Sequence, residues 1–271
     1  MTPLTSRRHP FVGRCRELAG GRPADGTEVL LDGPHLLADA VAAGVAILAV
    51  AVGPRLLGEP AVRTMLAALQ AAPTEIFAAT DGVLEAASPV RSPSGIVALA
   101  SFALAGPERV FATSSDLVVG GVGLQDPGNV GAIIRAADAA GASGMVVTRG
   151  SADPLGWKAL RGAAGSAFRL PLTSGITAMD ACSMARARGL QVVATCPVDG
   201  QNLHEFDLTQ PLFLLLGGEG PGLATELLDQ ADRRLHIPLR EPVESLNVAV
   251  AAGIILFEAR RQRSLAMKRL D

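Results

Sequence analysis

The sequence predicts an α/β fold organised as two domains, and three observations carry that prediction. From residue 28 onward, apolar stretches of strand length alternate with stretches of helix length, joined by short connections. A length of 271 residues exceeds one ordinary domain and leaves ample core for two. Between residues 103 and 112 the pattern lapses into "ALAGPERVFA", which reads as a linker. The first domain is therefore expected over residues 1–104 and the second over residues 113–271.

In the first domain "EVLLDG" reads as a strand and "PHLLADAVAAG" as a helix closed by Gly44, the residue type that most often ends helices. "VAILAVAVG" is the next strand. "PAVRTMLAALQAA" is a helix with Pro60 near its start, where the missing N–H has no helical partner to lose. "TEIFAAT" follows as a strand, "DGVLEAAS" as a short helix and "SPSGIVALASF" as a turn and strand. The second domain opens with the strand "DLVVGGVG", the loop "LQDPGN", the helix "VGAIIRAADAAG" and the strand "GMVVT". That is a βαβ unit, which implies a parallel sheet and a right-handed crossover. Further strands are expected at "LQVVATC", "PLFLLLG" and "RLHIPL", with helices near residues 175–188, 222–231 and 246–266.

Composition narrows the function classes. A net charge of −2 does not describe a general nucleic-acid binder, so RNA or DNA contact requires a local patch. Two patches exist, Arg7, Arg8, His9, Arg14 and Arg16 at one end, and Arg260, Arg261, Arg263, Lys268 and Arg269 at the other. Both also read as solvated helix faces. Cys15, Cys182 and Cys196 are odd in number and lack paired spacing, which points to reduced thiols and to neither a disulfide framework nor a metal site. "MTPLTSRRHPF" has no apolar signal core, and no apolar run reaches membrane-spanning length. A cytoplasmic protein is expected, without a membrane partner.

Three glycine-punctuated strand ends stand out: "GGVGLQDPGN", "ATCPVDG" and "LLLGGEGPG". Ligands in open α/β sheets bind beyond the carboxyl ends of the strands. "GGEGPG" misses the G-x-G-x-x-G spacing of a dinucleotide fold and lacks the lysine of a phosphate-binding loop. No G-x-S-x-G elbow is present. "LQDPGNVGAIIRAADAAGA", "LLLGGEGPGL" and "HIPLREPVESLNVAVAAGIILFEA" occur in that order. Here the chain closely resembles the SpoU (TrmH-like) family of RNA ribose 2′-O-methyltransferases. The N-terminal "LTSRRHPFVGRCREL" and "VLLDGPHLLADAVAAGV" resemble the family's substrate-binding domain, which is related to ribosomal RNA-binding proteins, so the resemblance covers nearly the whole chain.

The resemblance implies a C-terminal parallel-sheet methyltransferase domain knotted as a trefoil, with a small α/β RNA-binding domain before it. It implies S-adenosyl-L-methionine bound bent within the knot, a homodimer that builds the active sites, and ribosomal or transfer RNA as substrate. Carried onto this chain, Leu216, Gly217, Gly218, Ile237, Pro238 and Leu246 would contact the cofactor, largely through backbone, with Thr195 nearby. Arg135 would take the proton-removing role, although a guanidinium stays protonated at neutral pH. Asn129 would orient Arg135, Glu219 would position the site, and Ser245 and Asn247 would face the ribose and the cofactor. Arg7, Arg8, Arg14 and Arg16 would hold RNA. Simpler readings stand beside these. Asn129, Ser245 and Asn247 are all placed to cap helices, "GGEGPG" is a tight turn, Glu219 is a solvated carboxylate, and Arg135 pairs with Asp138 three residues on. Position 163 is Ala where many relatives have Ser. Two rival functions stand beside this one: an RNA-binding relative without catalysis and a nucleotide-dependent oxidoreductase.

Overall fold

Strands of the N-terminal part, short and apolar, pair into a five-stranded sheet in the order β1-β4-β3-β5-β2. They are β1 (Thr2–Leu4), β2 (Glu28–Asp32), β3 (Ala46–Val52), β4 (Glu75–Ala79) and β5 (Ile96–Ser101). β1, β4 and β3 run parallel, whereas β5 runs antiparallel to both β3 and β2. Helices α1 (Pro10–Gly20), α2 (Pro34–Ala42), α3 (Pro54–Leu57), α4 (Pro60–Leu69) and α5 (Asp81–Ala87) connect them. The structure, a computed structural model, describes residues 1–23, 26–112, 117–220 and 222–268. β1 and α1 add to the elements expected from the sequence, and the buried face of α1, formed by Phe11, Val12, Cys15 and Leu18, has helical spacing. His9 caps α1, its Nδ1 accepting the Phe11 N–H at 3.2 Å, and its ring meets Phe77 edge-on at 5.2 Å.

The C-terminal part holds α6 (Pro107–Val110), β6 (Leu117–Val122), α7 (Pro127–Ala140), β7 (Gly144–Val147), α8 (Trp157–Ala163), β8 (Leu172–Ser174) and α9 (Ala178–Ala187). β9 (Gln191–Thr195), β10 (Gln201–Asn202), β11 (Leu212–Gly217), α10 (Thr225–Asp229), β12 (Arg233–His236) and α11 (Val248–Met267) complete it. Its seven strands lie in the order β10-β12-β9-β11-β6-β7-β8, and every neighbouring pair is parallel. Strands buried on both faces read as unbroken apolar runs, which is why "PLFLLLG" and "LQVVATC" are legible. "RLHIPL" stops as a strand at His236, just ahead of Pro238, a residue with no N–H for a ladder.

Two boundaries differ from the sequence expectation. The chain forms two units, one of Met1–Ala103 with Leu155–Phe168 and one of Leu104–Pro154 with Arg169–Asp271. Residues 155–168, expected in the second domain, thus pack with the first. Trp157 explains this: its ring lies against the first core and its Nε1–H donates to the Ala19 carbonyl at 3.2 Å. The stretch expected as linker contains α6, whose Val110 and the following Phe111 are buried in the core of the second unit. The expected start of the second domain, residue 113, lies outside the described residues.

Phe111 is 1% exposed and meets the Phe213 ring edge-on, centroids 5.4 Å apart. Phe111→Ala should therefore destabilise the protein by about 3–5 kcal/mol, the range for emptying a buried aromatic site. Denaturant unfolding checks this, and a change under about 0.5 kcal/mol, typical of surface positions, would return the segment to a linker.

Candidate active site

The second unit gathers its motif segments where β6 and β11 end. Asp126 caps α7, its Oδ1 accepting the Gly128 N–H at 2.8 Å, and Pro127 fills the first helical position. Asn129 is thereby released from capping. Its Nδ2 donates to Glu219 Oε1, in the loop after β11, and the other carboxylate oxygen of Glu219 accepts the Gln125 N–H at 3.3 Å. At the mouth of α11 the cap is Asn247, whose Oδ1 accepts the N–H groups of Ala249 at 2.9 Å and Val250 at 3.2 Å. The same amide's Nδ2 donates to Asn129 Oδ1 at 3.1 Å. One chain of side-chain hydrogen bonds therefore joins all three motifs. It also holds the Glu219 carboxyl below the ordinary glutamate range, first through a backbone N–H at its own position and then through the Asn129 amide.

Beside this chain lies a cavity of about 440 Å³, within the range of small-ligand sites. Its walls come from the end of β9 (Thr195, Cys196), the end of β11 and its loop (Leu216–Gly220, Gly222, Leu223), and, after β12, Ile237, Leu239 and Glu244–Asn247. The first turns of α11 close it. Between Ile237 and Leu246 only one backbone–backbone hydrogen bond forms among the described residues, from Val243 N to Arg240 O. Main-chain groups of Ile237, Leu239, Ser245 and Leu246, which line the cavity, are thereby available to a ligand edge. Burial pushes the Cys196 thiol up, so this wall residue stays protonated at neutral pH.

Most of the expected cofactor residues meet here: Thr195, Leu216, Gly217, Gly218, Ile237 and Leu246 line the cavity, as do Glu219, Ser245 and Asn247. Pro238 does not line it and is exposed. The need for Gly217 is internal. A Cβ there would stand 2.6 Å from the backbone of Gly222 and Leu223, and one on Gly218 would strike the Gly123 carbonyl. The loop closes on itself through the Gly218–Gly222 bridge, with Gly220 and Gly222 at positive φ.

Arg135 is exposed on α7, outside the cavity wall, and has no polar partner among the described residues. Asn129 makes no hydrogen bond to it among the described residues, its amide being held by Glu219 and Asn247. Six residues along a helix separate two side chains by about 9 Å of rise and about 120° of rotation. The pairing with Asp138 is also absent, because Asp138 is held by Arg169 at 2.8 Å. Glu244, Leu239 and Ala251 line the cavity without having been singled out in the sequence. Their proximity to Ser245 and Asn247 was the available signal.

In the first unit, Arg7 meets Glu85 at 3.3 Å, Arg14 meets Glu28 at 2.5 Å and Glu17 at 2.9 Å, and Arg16 donates to the Ala86 carbonyl at 2.9 Å. Arg8 is exposed, and its side chain has no polar partner among the described residues. At the other end Arg260 donates to the Ala139 carbonyl, Arg261 pairs with Glu258 and Arg263 donates to Leu208 O. These are largely structural commitments. Arg269 lies outside the described residues.

The profile of the SpoU rRNA Methylase family matches residues 116–257, the span that contains the hydrogen-bonded chain and the cavity. An uncharacterised tRNA/rRNA methyltransferase of Synechocystis sp. is 33% identical over 262 residues, 96% of this chain and 94% of that protein. The 23S rRNA guanosine 2′-O-methyltransferase RlmP of Bacillus subtilis is 37% identical over 154 residues, 57% of this chain and 61% of that enzyme. The solved structure of an AdoMet-bound rRNA methyltransferase from Sinorhizobium meliloti superposes with a TM-score of 0.85 at 30% identity, covering 96% of this chain and 97% of the other. Sequence, fold and the three joined motifs agree, and the chain belongs to the SpoU rRNA Methylase family.

Proposed function

We propose that this protein is an S-adenosylmethionine-dependent methyltransferase that modifies a ribose 2′-hydroxyl in structured RNA, ribosomal RNA in preference to transfer RNA. One observation carries the reading: the three family motifs are hydrogen-bonded together at the edge of one nucleoside-sized cavity. That cavity suits the cofactor. Leu216, Ile237 and Leu246 offer apolar faces to a planar base, and the main chain of Ile237, Leu239, Ser245 and Leu246, with no backbone–backbone bond among the described residues outside the ladders, offers donors and acceptors to its edge. No Lys, Arg or His lines it among the described residues, which disfavours the pyrophosphate of an oxidoreductase's dinucleotide. The names of the relatives, a 23S rRNA 2′-O-methyltransferase among them, support the substrate class.

When bound, S-adenosylmethionine supplies a methyl group on a cationic sulfur. This chain's residues would orient the two reactants, which is a large part of such catalysis. Ser245 has an exposed hydroxyl beside the cavity to face the ribose, and Asn247 and Glu219 fix the loops around it. Arg135, without an ion pair among the described residues, would hold the ribose oxygen and a neighbouring phosphate with its planar fork and stabilise the developing alkoxide. Intact Asn129, Arg135, Glu219, Ser245 and Asn247 argue against a relative that only binds RNA.

The trefoil knot belongs to the same proposal, supported by the return of α11 onto α7 after the strand order β12-β9-β11-β6. So does the homodimer. Val250, Ile254 and Phe257 are 52%, 40% and 51% exposed and form one apolar stripe on α11, opposite the buried Ala252, Ile255, Leu256 and Ala259. A second copy would cover that stripe. RNA contact in the first unit would fall chiefly to Arg8, with Arg7, Arg14 and Arg16 contributing from within their ion pairs. A ribosomal RNA substrate would be met in the cytoplasm; no helix among the described residues is long and apolar enough to cross a membrane.

Full-length protein incubated with labelled S-adenosylmethionine and total RNA should leave mapped 2′-O-methyl sites in ribosomal RNA, and label in neither ribosomal nor transfer RNA would contradict the reading. Arg135→Lys should lower single-turnover methylation by at least ~100-fold with cofactor affinity held within a few-fold. A near-normal rate would remove Arg135 from the site. Sedimentation at low micromolar concentration should show a dimer that Ile254→Glu dissociates. A wild type found only at 27.8 kDa refutes the pairing.

A further inference from the structure

The cavity carries an asymmetry of charge. Its only charged side chains among the described residues are carboxylates, Glu219 and Glu244. Glu219 is committed to Asn129 and to the Gln125 N–H. Glu244 is exposed, and the described residues provide it with no hydrogen bond or ion pair. It stands directly before Ser245 in the segment that forms one wall. A cation entering this recess gains attraction from two anions, while a neutral ligand of the same shape gains none.

We propose that Glu244 is a specificity residue of the cofactor site, acting with Glu219 so that the cationic methyl donor is held more tightly than the neutral thioether product. The proposal rests on the cavity being the S-adenosylmethionine site. On methyl transfer the sulfur keeps the electron pair of the broken bond and becomes neutral, and the ribose oxygen gains the methyl and gives up its proton to solvent. Donor and product share the adenosine and the amino-acid end, so the sulfonium charge is the difference the two carboxylates sense. Product would leave the site more readily than donor. Two carboxylates lining a partly solvated cavity are worth about three- to tenfold in relative affinity, and less at high salt.

The test is calorimetric titration of the full-length protein with S-adenosylmethionine, with S-adenosylhomocysteine, and with sinefungin, which carries an amine in place of the methylsulfonium. The wild type should bind both cationic ligands more tightly than the thioether, and added salt should reduce the ratio. Glu244→Gln should reduce it by about three- to tenfold at low salt, and Glu244→Asp should retain most of it. If all three ligands bind and the ratio is unchanged in Glu244→Gln, the proposal fails while the cofactor site stands. If the wild type binds none of them, both fail together. The salt dependence of the wild-type ratio decides the matter even if Glu244→Gln does not fold, since a salt-independent ratio overturns the electrostatic account.

Discussion

The carboxylate of Glu219 is the point at which the three motif segments of the second unit are tied together. It accepts from Gln125 N and Asn129 Nδ2, and Asn129 in turn accepts from Asn247. Residues more than a hundred positions apart are thereby set in one register: the loop before α7, the loop after β11 and the mouth of α11. An ionised carboxylate is the strongest acceptor available for this task. Its pKa is lowered in the folded state, so the charged form is the one that folding favours. The stabilisation is complete above the ordinary glutamate pKa of about 4.3 and is lost only as pH falls through the lower folded value.

The fold delivers these segments because parallel strands end on one side of their sheet. β6 and β11 are adjacent and in register, Leu216 opposite Gly121 and Gly217 opposite Val122, so their loops emerge side by side. β9 and β12 follow on the other flank of β11. Asp126 contributes by capping α7 and leaving Asn129 for Glu219, and Asn247 performs both duties at once. That double role answers why a Ser-Leu-Asn triplet opens α11. Asn247 caps the helix, and Ser245 is left with its hydroxyl exposed beside the cavity.

What could be read from the sequence was whatever depends on neighbours along the chain. Continuous apolar runs gave the buried strands, Pro60 and Gly44 gave helix ends, and the ordered motifs gave the cavity. What could not be read depends on distant partners. Val110 and Phe111 look like part of a Gly-Pro linker until Phe213 is beside them. Trp157 draws its segment to Ala19, well over a hundred residues away, which no local pattern announces. Arg135 and Asp138 satisfy the helical spacing rule, yet Asp138 takes Arg169 from outside the helix. Arg7 and Arg14 form a basic cluster on paper and meet Glu85 and Glu28 in space. Gly217 and Gly218 line the cavity, and a Cβ on either would also strike the chain's own backbone, a partner that local sequence does not announce.

The central claim is that the three motifs act as one unit through Glu219 and the two asparagines. A double-mutant cycle of Glu219→Ala and Asn247→Ser on S-adenosylmethionine affinity tests it most directly, because serine keeps the helix cap while losing the Nδ2 donor to Asn129. The account predicts that the two losses are coupled by about 0.5–3 kcal/mol, as for members of one hydrogen-bond network. Losses that simply add would contradict it.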